Sequence, residues 1–274
     1  MRASDKPVDE RARAPIAPTS KHPAGRRIQK RDALSFVLGI ALLLLIAWSV
    51  NWRFVQTLDV SVIVKYWRPL ADGAAMTLVI TSCSLVAGFL VGGLLAIIYQ
   101  LAPRFVRLVI WLYVEVFRNL PLIVLLFWVH FGLPRLTGYS TSALESGFLA
   151  LTLQSSAYLT DITRAGIQAV PRGQFEAAKA LGLPLVSRWG DVILPQAMKI
   201  MIPPFSNVAL SFLSGSSLLT VLQVGELMTM ATRISDFSFK PIEVMTFAGA
   251  IYFALNFVVG RGAKKIEVAT RTPR

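Results

Sequence analysis

The residues of this chain that could do bond chemistry are few and stand apart from one another. Cys83 is the only cysteine, and His22 and His130 are the only histidines, so the sequence offers no thiolate or imidazole cluster for a metal. It also lacks the Gly-x-x-x-x-Gly-Lys-Ser/Thr loop that cradles nucleotide phosphates. The scattered acidic residues do not form the paired carboxylates of acid–base catalysis. We therefore predict that the chain is not an enzyme and binds neither a metal nor a cofactor.

Four charged residues form two pairs at helical spacing. Glu115 and Arg118 lie three residues apart, as do Asp161 and Arg164, and helical side chains meet at that separation. We predict two structural ion pairs. The alternatives are a gate contact for the first pair and separate interfacial charges for the second. His130 lies among aromatic residues with no acid nearby in sequence, which favours a packing role over proton transfer.

A polar segment with fixed spacing carries the most specific signal. It runs Gln174-Phe-Glu-Ala-Ala-Lys-Ala-Leu-Gly182 and is followed, nine residues later, by Val192-Ile-Leu-Pro195. We call residues 174–195 the Glu-Ala-Ala segment. Pro171 suits the first turn of a helix, and Gly182 suits the left-handed position just past a helix end. The segment therefore predicts a short helix between these two residues.

The side chains of this helix indicate what it does. Phe175, Ala178 and Leu181 fall near one face, which suits a helix lying in a partner's groove with the aromatic residue as its anchor. Glu176 either pairs with Arg172 or reaches a basic residue of the partner. On physical grounds alone, the alternative is an amphipathic helix at a membrane surface with no partner.

The composition indicates a membrane protein. Hydrophobic residues make up 54% of the 274 positions, charged residues make up 16%, and the mean hydropathy is +0.59. A helix that crosses a bilayer needs about 20 mainly apolar residues. The uncharged runs that approach this length are 33–52, 73–103, 119–134, 146–160, 200–225 and 244–260. We predict an all-α membrane protein with about six transmembrane helices.

The distribution of basic residues predicts the orientation. Residues 1–32, the turn at 101–108, the loop at 161–199 and the tail from 261 hold 21 Lys and Arg, and the other three connections hold 6. By the positive-inside rule, both termini and the Glu-Ala-Ala segment lie in the cytoplasm. The net charge of +13 is then explained by contact with anionic lipid, without a nucleic-acid partner.

The predicted domains follow from the same patterns. Residues 1–32 combine basic residues with four prolines and predict a disordered cytoplasmic tail. Residues 33–262 form the transmembrane domain, in which the loop at about 165–199 holds the Glu-Ala-Ala segment. Residues 263–274 form a second cytoplasmic tail.

The chain resembles the permease subunits of ABC importers, in the branch that takes up polar amino acids. The Glu-Ala-Ala segment has the spacing of the family's cytoplasmic coupling loop. Further matching segments cover roughly residues 70–265: Val114-Glu-Val-Phe-Arg118-Asn-Leu-Pro121, Phe131-Gly-Leu-Pro134, Ala157-Tyr-Leu-Thr-Asp161, Pro203-Pro204 and Asp236-Phe-Ser-Phe239. The resemblance implies that the ATPase is contacted by Gln174, Phe175, Glu176, Ala177, Ala178, Leu181, Gly182, Leu194 and Pro195.

The resemblance also implies an assembly in a bacterial inner membrane. Its other members are a cytoplasmic ATPase dimer that binds ATP and Mg²⁺, a second permease subunit (identical or paralogous) and a periplasmic solute-binding protein. Glu226 and Arg233, at the outer end of the fifth predicted span, either contact that binding protein or are solvated charges. Phe117-Arg-Asn119 and the Asp236 segment favour the permeases for acidic amino acids.

The predicted translocation path lies on the fifth span. Asn207, Ser211 and Ser214 follow helical spacing, with Ser217 nearby, and either line the path or act as polar contacts between helices. The family commonly has a lysine followed by aspartate or asparagine before its serine, whereas this chain has Ser214-Gly215. That departure implies an altered substrate, or a subunit that contributes little to binding.

A carrier driven by an ion gradient is the main alternative function. Such a carrier needs acidic residues buried within its spans, and the six uncharged runs contain none.

Overall fold

The computed structural model describes residues 25–49 and 51–270, which contain helices and loops but no strand. The predicted all-α fold class is therefore confirmed. The chain divides into two units, Met1–Leu58 and Asp59–Arg274.

The first unit contains helices α1 (Gly25–Ser49) and α2 (Trp52–Gln56). Residues 25–32 of the predicted tail form the first two turns of α1, and the predicted domain bounds stay a prediction. These residues include Arg, Gln and Lys, which favour a helix, and no proline separates them from the apolar run that follows. The rest of that predicted tail, 1–24, lies outside the described residues.

The second unit is a bundle of long helices with short helices between them. Its helices are α3 (Ser61–Leu101), α4 (Arg104–Asn119), α5 (Leu122–Phe127), α6 (Leu133–Thr137), α7 (Ala143–Gln168), α8 (Arg172–Ala180), α9 (Leu185–Ser187), α10 (Leu194–Gly215), α11 (Leu227–Ser238) and α12 (Pro241–Thr270). Helix α12 includes most of the predicted tail 263–274, of which 271–274 lie outside the described residues.

Three helical segments of the described chain are long and apolar enough to cross a membrane: Ser61–Leu101, Leu185–Leu222 and Pro241–Thr270. Helices α4 and α5–α6 together make a fourth if they count as one span, although they are bent by 108° at Leu120-Pro121. Helix α7 is not among them because it carries many polar residues, several of which are buried against its neighbours. The total of about six transmembrane helices therefore stays a prediction.

Helices α3 and α7 approach each other closely through Gly88 and Gly92 of α3. A Cβ atom on Gly88 would lie 2.1 Å from the Ser155 hydroxyl, and one on Gly92 would lie 2.6 Å from the Ser156 carbonyl oxygen. The Ser155 hydroxyl also donates to the Ser84 carbonyl at 3.2 Å. These two glycines therefore allow the close packing of α3 against α7.

Glu226 is fully buried, so the expectation that it is a surface charge was wrong. Its carboxylate accepts bonds from the Met228 and Thr229 amides (2.8 and 2.7 Å), the Thr229 hydroxyl (3.0 Å) and the Tyr252 hydroxyl (2.8 Å). The Leu227 amide donates to the Thr77 hydroxyl at 3.1 Å. The first turn of α11 needs acceptors for its free amides, and Glu226 provides two of them while joining α11 to α12.

The start of α3 is tied to the start of α12. Lys240 forms an ion pair with Asp59, and Glu243 accepts a hydrogen bond from the Asp59 amide at 3.2 Å. The Lys240 ammonium and the hydrogen bonds from Ser61 lower the pKa of Asp59 below its ordinary value.

The helix contact gives a first prediction. Gly92→Ala should destabilise the protein by about 1–3 kcal/mol, because the new methyl group meets backbone atoms of α7 that cannot move aside. Gly93→Ala is the control, since a Cβ atom there meets nothing within 4 Å. Thermal unfolding in detergent should show a lower Tm for Gly92→Ala alone. Equal Tm values would contradict the close contact.

The buried carboxylate gives a second prediction. Glu226→Ala should cost at least about 3 kcal/mol, because it leaves several buried donors without acceptors. Tyr252→Phe removes one of the four bonds and should cost about 1 kcal/mol. The exposed Asp236, on the same helix, provides a control in Asp236→Asn, which should change stability by less than about 0.5 kcal/mol. Thermal unfolding should rank the variants in that order, and a Glu226→Ala variant as stable as Asp236→Asn would refute the role.

Candidate functional site

The Glu-Ala-Ala segment begins with helix α8, which lies between Pro171 and Gly182 as the spacing predicted. Gly182 has a φ of +68°. Its amide donates to the Lys179 carbonyl at 3.0 Å, and the next amide, of Leu183, donates to the Ala178 carbonyl at 3.2 Å. These two bonds form a Schellman motif, which ends the helix sharply and needs a residue that tolerates positive φ.

The aromatic residue of α8 packs against its own chain. Phe175 makes an edge-to-face contact with Trp189, with 6.2 Å between the ring centroids, and both join a cluster that includes Ile167 and Ile193. Ala178 is buried on the same side. Phe175 is half-buried on the face of α8 that carries Ala178, and its role as an anchor in a partner's groove stays a prediction.

The other face of α8 is exposed. It carries Gln174, Glu176 and Ala177, and Leu181 beyond its end is 77% exposed. Within the described residues Glu176 forms no ion pair, so its carboxylate stays available. Leu185 and Val186 are 59% and 83% exposed and extend this surface. The exposure of these two residues was not predicted, although they follow Gly182 by three and four positions, just beyond the end of α8.

The segment is fastened to the start of α10. The Gln196 side-chain amide donates to the Gln174 side chain at 3.2 Å, and the Arg188 guanidinium donates to the Leu183 carbonyl at 3.2 Å. Leu194 and Pro195 form the first turn of α10, where proline costs no hydrogen bond. They start the helix that follows, both are exposed, and their predicted contact with an ATPase stays a prediction.

The two predicted ion pairs meet in one network. Arg164 lies 2.8 Å from Asp161, and Arg118 lies 3.7 Å from Glu115. Arg118 also pairs with Asp161, 43 residues further along the chain, which joins α4 to α7. The Tyr158 hydroxyl adds a bond to the Arg118 carbonyl at 3.2 Å. The network therefore holds the end of α7, just before the Glu-Ala-Ala segment, against α4.

Helix α10 exposes the predicted polar stripe. Asn207, Ser211 and Ser214 are exposed, and Ser217 lies in the 3₁₀ turn that continues α10 from Ser216 to Leu222. The Ser211 hydroxyl donates to the Asn207 carbonyl at 3.0 Å, and the Asn256 amide of α12 donates to the Ser214 hydroxyl at 3.2 Å. Beside the stripe is a cleft of about 230 Å³ lined by Leu122, Gln154, Tyr158, Val208, Ser211, Phe212, Gly215 and Leu218.

His130 lies away from these surfaces. Its Nδ1 is hydrogen-bonded to the Ser146 hydroxyl at 2.8 Å, and its ring contacts Phe131 edge to face. Within residues 25–49 and 51–270, no group of three or more His, Cys, Asp or Glu side chains could hold a metal ion.

Two permease proteins of Bacillus subtilis are similar to this chain in sequence. ArtQ of Bacillus subtilis strain 168, an arginine transport system permease protein, is 34% identical over 217 residues, which are 77% of this chain and 97% of ArtQ. The probable glutamine ABC transporter permease protein GlnM of the same organism is 32% identical over 210 residues, again 77% of this chain and 97% of the relative.

Two solved structures of ABC transporters are also similar to this chain. The crystal structure of an amino acid ABC transporter with histidines is 33% identical, has a TM-score of 0.72 and covers 78% of this chain and 99% of the solved chain. An inward-facing crystal form of the MetNI methionine ABC transporter has a TM-score of 0.64 at 20% identity, over 74% of this chain and 97% of the solved chain, and so shares the fold.

The family match decides the assignment. Residues 85–271 match the family described as binding-protein-dependent transport system inner membrane component. This is well over half of the chain, and ArtQ is aligned over most of both proteins. The chain therefore belongs to the family of inner membrane components of binding-protein-dependent transport systems, the ABC-importer permeases that its sequence resembles.

Proposed function

We propose that the chain is the transmembrane subunit of an ATP-driven importer of polar amino acids. Its partners are a cytoplasmic ATPase dimer, a second permease subunit and a periplasmic binding protein. It crosses a bacterial inner membrane about six times, with both termini in the cytoplasm. The observation that carries this proposal is a short exposed helix, α8, fixed on a packed base in a chain of the permease family.

The geometry of α8 suggests how it transmits force. Its exposed face, with Glu176 and Leu181, docks on the ATPase, while Phe175 on the buried face presses against Trp189. A displacement of α8 is then passed to α10 through this cluster and to α7 through the chain itself. Because packed side chains compress little, such a base moves as one body.

The proposed path for the solute follows the polar stripe of α10. Ser211 and Ser217 donate their protons to backbone carbonyls, which leaves lone pairs free to accept hydrogen bonds from an ammonium group. Asn207 adds an exposed amide. These groups are uncharged, so they offer hydrogen bonds to a zwitterion without selecting one sign of charge.

The relatives support a polar amino acid as the solute. ArtQ is named for arginine and GlnM for glutamine. The preference for acidic amino acids that the sequence favours stays a prediction. A panel of amino acids in the assays below separates these choices.

The docking surface gives a third prediction. Glu176→Lys should abolish the stimulation of ATPase activity by loaded binding protein, because it reverses the free charge on the exposed face. Gly182→Val should do the same, since a β-branched residue in the left-handed region costs at least about 1–2 kcal/mol and displaces the Schellman turn. Gly173→Ala is the control: it lies in α8 at ordinary φ, with open space at its Cβ.

The measurement uses the complex purified from the whole gene cluster and reconstituted in lipid, assayed with each amino acid and its binding protein. One amino acid should stimulate the wild type and Gly173→Ala, and neither of the other variants, although both still insert into membranes. If no ATPase co-purifies with the wild-type chain, the importer proposal fails and a gradient-driven carrier becomes the better account.

The polar stripe gives a fourth prediction. Ser211→Ala should raise the KM for uptake about fivefold, because one hydrogen bond to the solute is worth about 1 kcal/mol. Ser206→Ala is the matched control: its hydroxyl donates to a carbonyl four residues back, as that of Ser211 does, but on another face of α10. Uptake into vesicles measures both, and equal KM values would place the path elsewhere.

A further inference from the structure

The cleft beside the polar stripe is lined from α7 as well as from α10. Gln154 and Tyr158 lie about one helical turn apart on α7, and they line the cleft together with Ser211 of α10. Two helix ends also border it, at Leu122, the first residue of α5, and at Gly215, the last residue of α10. Interrupted helices are tolerated within a bilayer where the backbone is covered by protein or lines a cavity.

The end of α4 holds the side chain of Gln154 in one orientation. The Gln154 side-chain nitrogen donates to the Leu120 carbonyl at 2.7 Å, where the chain bends into α5. A carbonyl at a helix end has no partner within its own helix and needs a donor from elsewhere. Because a carbonyl can only accept, the nitrogen of the carboxamide must face Leu120. The oxygen, Oε1, is therefore the polar atom that Gln154 has left for the cleft.

This oxygen has no hydrogen-bond partner within the chain. Gln154 is only 7% exposed. Across residues 25–49 and 51–270, its one hydrogen bond is the donation from its nitrogen to Leu120. Folded proteins leave few buried polar atoms without a partner. A free acceptor on a buried side chain in the wall of a cleft therefore calls for a donor that enters the cleft.

The other groups that line the cleft favour a positively charged donor. The Ser211 hydroxyl spends its proton on the Asn207 carbonyl, so it too presents lone pairs. The ring of Tyr158 lines the cleft, in edge-to-face contact with Phe212, and aromatic rings attract ammonium groups. None of the described residues that line the cleft carries a charge, so a carboxylate would find no cation there.

We propose that Gln154 binds the ammonium group of the solute through Oε1, with the Ser211 hydroxyl as a second acceptor. Free amino acids share this group, so Gln154 selects them as a class and does not read the charge of their side chains. The bond to Leu120 fixes the oxygen before the solute arrives, which lowers the entropy cost of binding. The assignment of Gln154 rests on the solute path in the proposed function.

The test measures solute binding to the purified protein in lipid nanodiscs, without binding protein or ATP. Ligand-observed NMR titrations compare arginine, glutamine and glutamate with their Nα-acetyl derivatives, in which an amide replaces the ammonium group. Gln154→Met keeps an unbranched side chain of similar length and removes the oxygen. Gln154→Glu keeps an oxygen acceptor and, when protonated, a donor for the Leu120 carbonyl.

Two further variants separate solute contact from packing. Tyr158→Phe is the matched control on α7, because it removes the hydroxyl bond to the Arg118 carbonyl at 3.2 Å and keeps the ring in the cleft. Ser211→Ala removes the second acceptor and leaves the bond between Gln154 and Leu120 intact. It therefore tests the same contact even if Gln154→Met fails to fold.

The wild type should bind at least one of the amino acids about tenfold more tightly than its Nα-acetyl derivative, because hydrogen bonds to charged groups are strong. Gln154→Met should lose this preference by weakening binding of the amino acid alone. Ser211→Ala should reduce the preference by about threefold to fivefold. Gln154→Glu and Tyr158→Phe should keep it.

Four results would overturn the assignment of Gln154. Equal losses for the amino acid and its derivative in Gln154→Met would show that Gln154 only holds Leu120. An unchanged preference in Ser211→Ala would place the ammonium group outside the cleft, and a lost preference in Tyr158→Phe would trace it to the packing of α7. A wild type that binds none of the amino acids would leave no solute site in this chain. The titrations need no ATPase, so failure of the ATPase to co-purify would refute the importer separately.

Discussion

The structure of the second unit depends on the close approach of α3 and α7. Two glycines one helical turn apart, Gly88 and Gly92, remove the side chains that would keep the backbones apart, and serine hydroxyls fill the contact. In a bilayer the lipid tails are as apolar as the helices, so association relies on such close packing and on hydrogen bonds between helices. Each of these helices then positions a functional end: α7 leads into α8, and α3 supplies Thr77 to the cap of α11.

Two helix ends of the second unit have unpaired backbone groups, and these groups find hydrogen-bond partners in different ways. At the end of α8, unpaired carbonyls are satisfied by backbone amides, which requires the left-handed Gly182. At the start of α11, unpaired amides are satisfied by Glu226. A gradient-driven carrier also needs a buried acid, and Glu226 stands one residue beyond the run 200–225. Both oxygens of its carboxylate already accept hydrogen bonds from neighbouring groups of the fold. Glu226 therefore caps the start of α11 and does not act as the acid of a carrier.

Local features of the structure were predictable from the sequence. The helix between Pro171 and Gly182 and the three-residue charge spacing of Asp161 and Arg164 depend on neighbours within a turn, and both are present. The missed features depend on distant residues. The Arg118–Asp161 contact joins positions 43 residues apart, and the ring of Phe175 contacts Trp189 on a different element. Glu226 is buried because α3 and α12 cover it. Spacing along one helix cannot reveal what a second helix covers.

Ser214 and Gly215 stand where the family that the sequence resembles commonly has a lysine followed by aspartate or asparagine. A lysine and an aspartate or asparagine need strongly polar surroundings, whereas here Asn256 of α12 reaches the Ser214 hydroxyl. This chain therefore has a neutral contact between α10 and α12 at a position where a charged pair is common in the family that it resembles. The polar stripe then contributes hydrogen bonds but no net charge. In the importer that we propose, selection by charge is then left to the binding protein or to the second permease subunit.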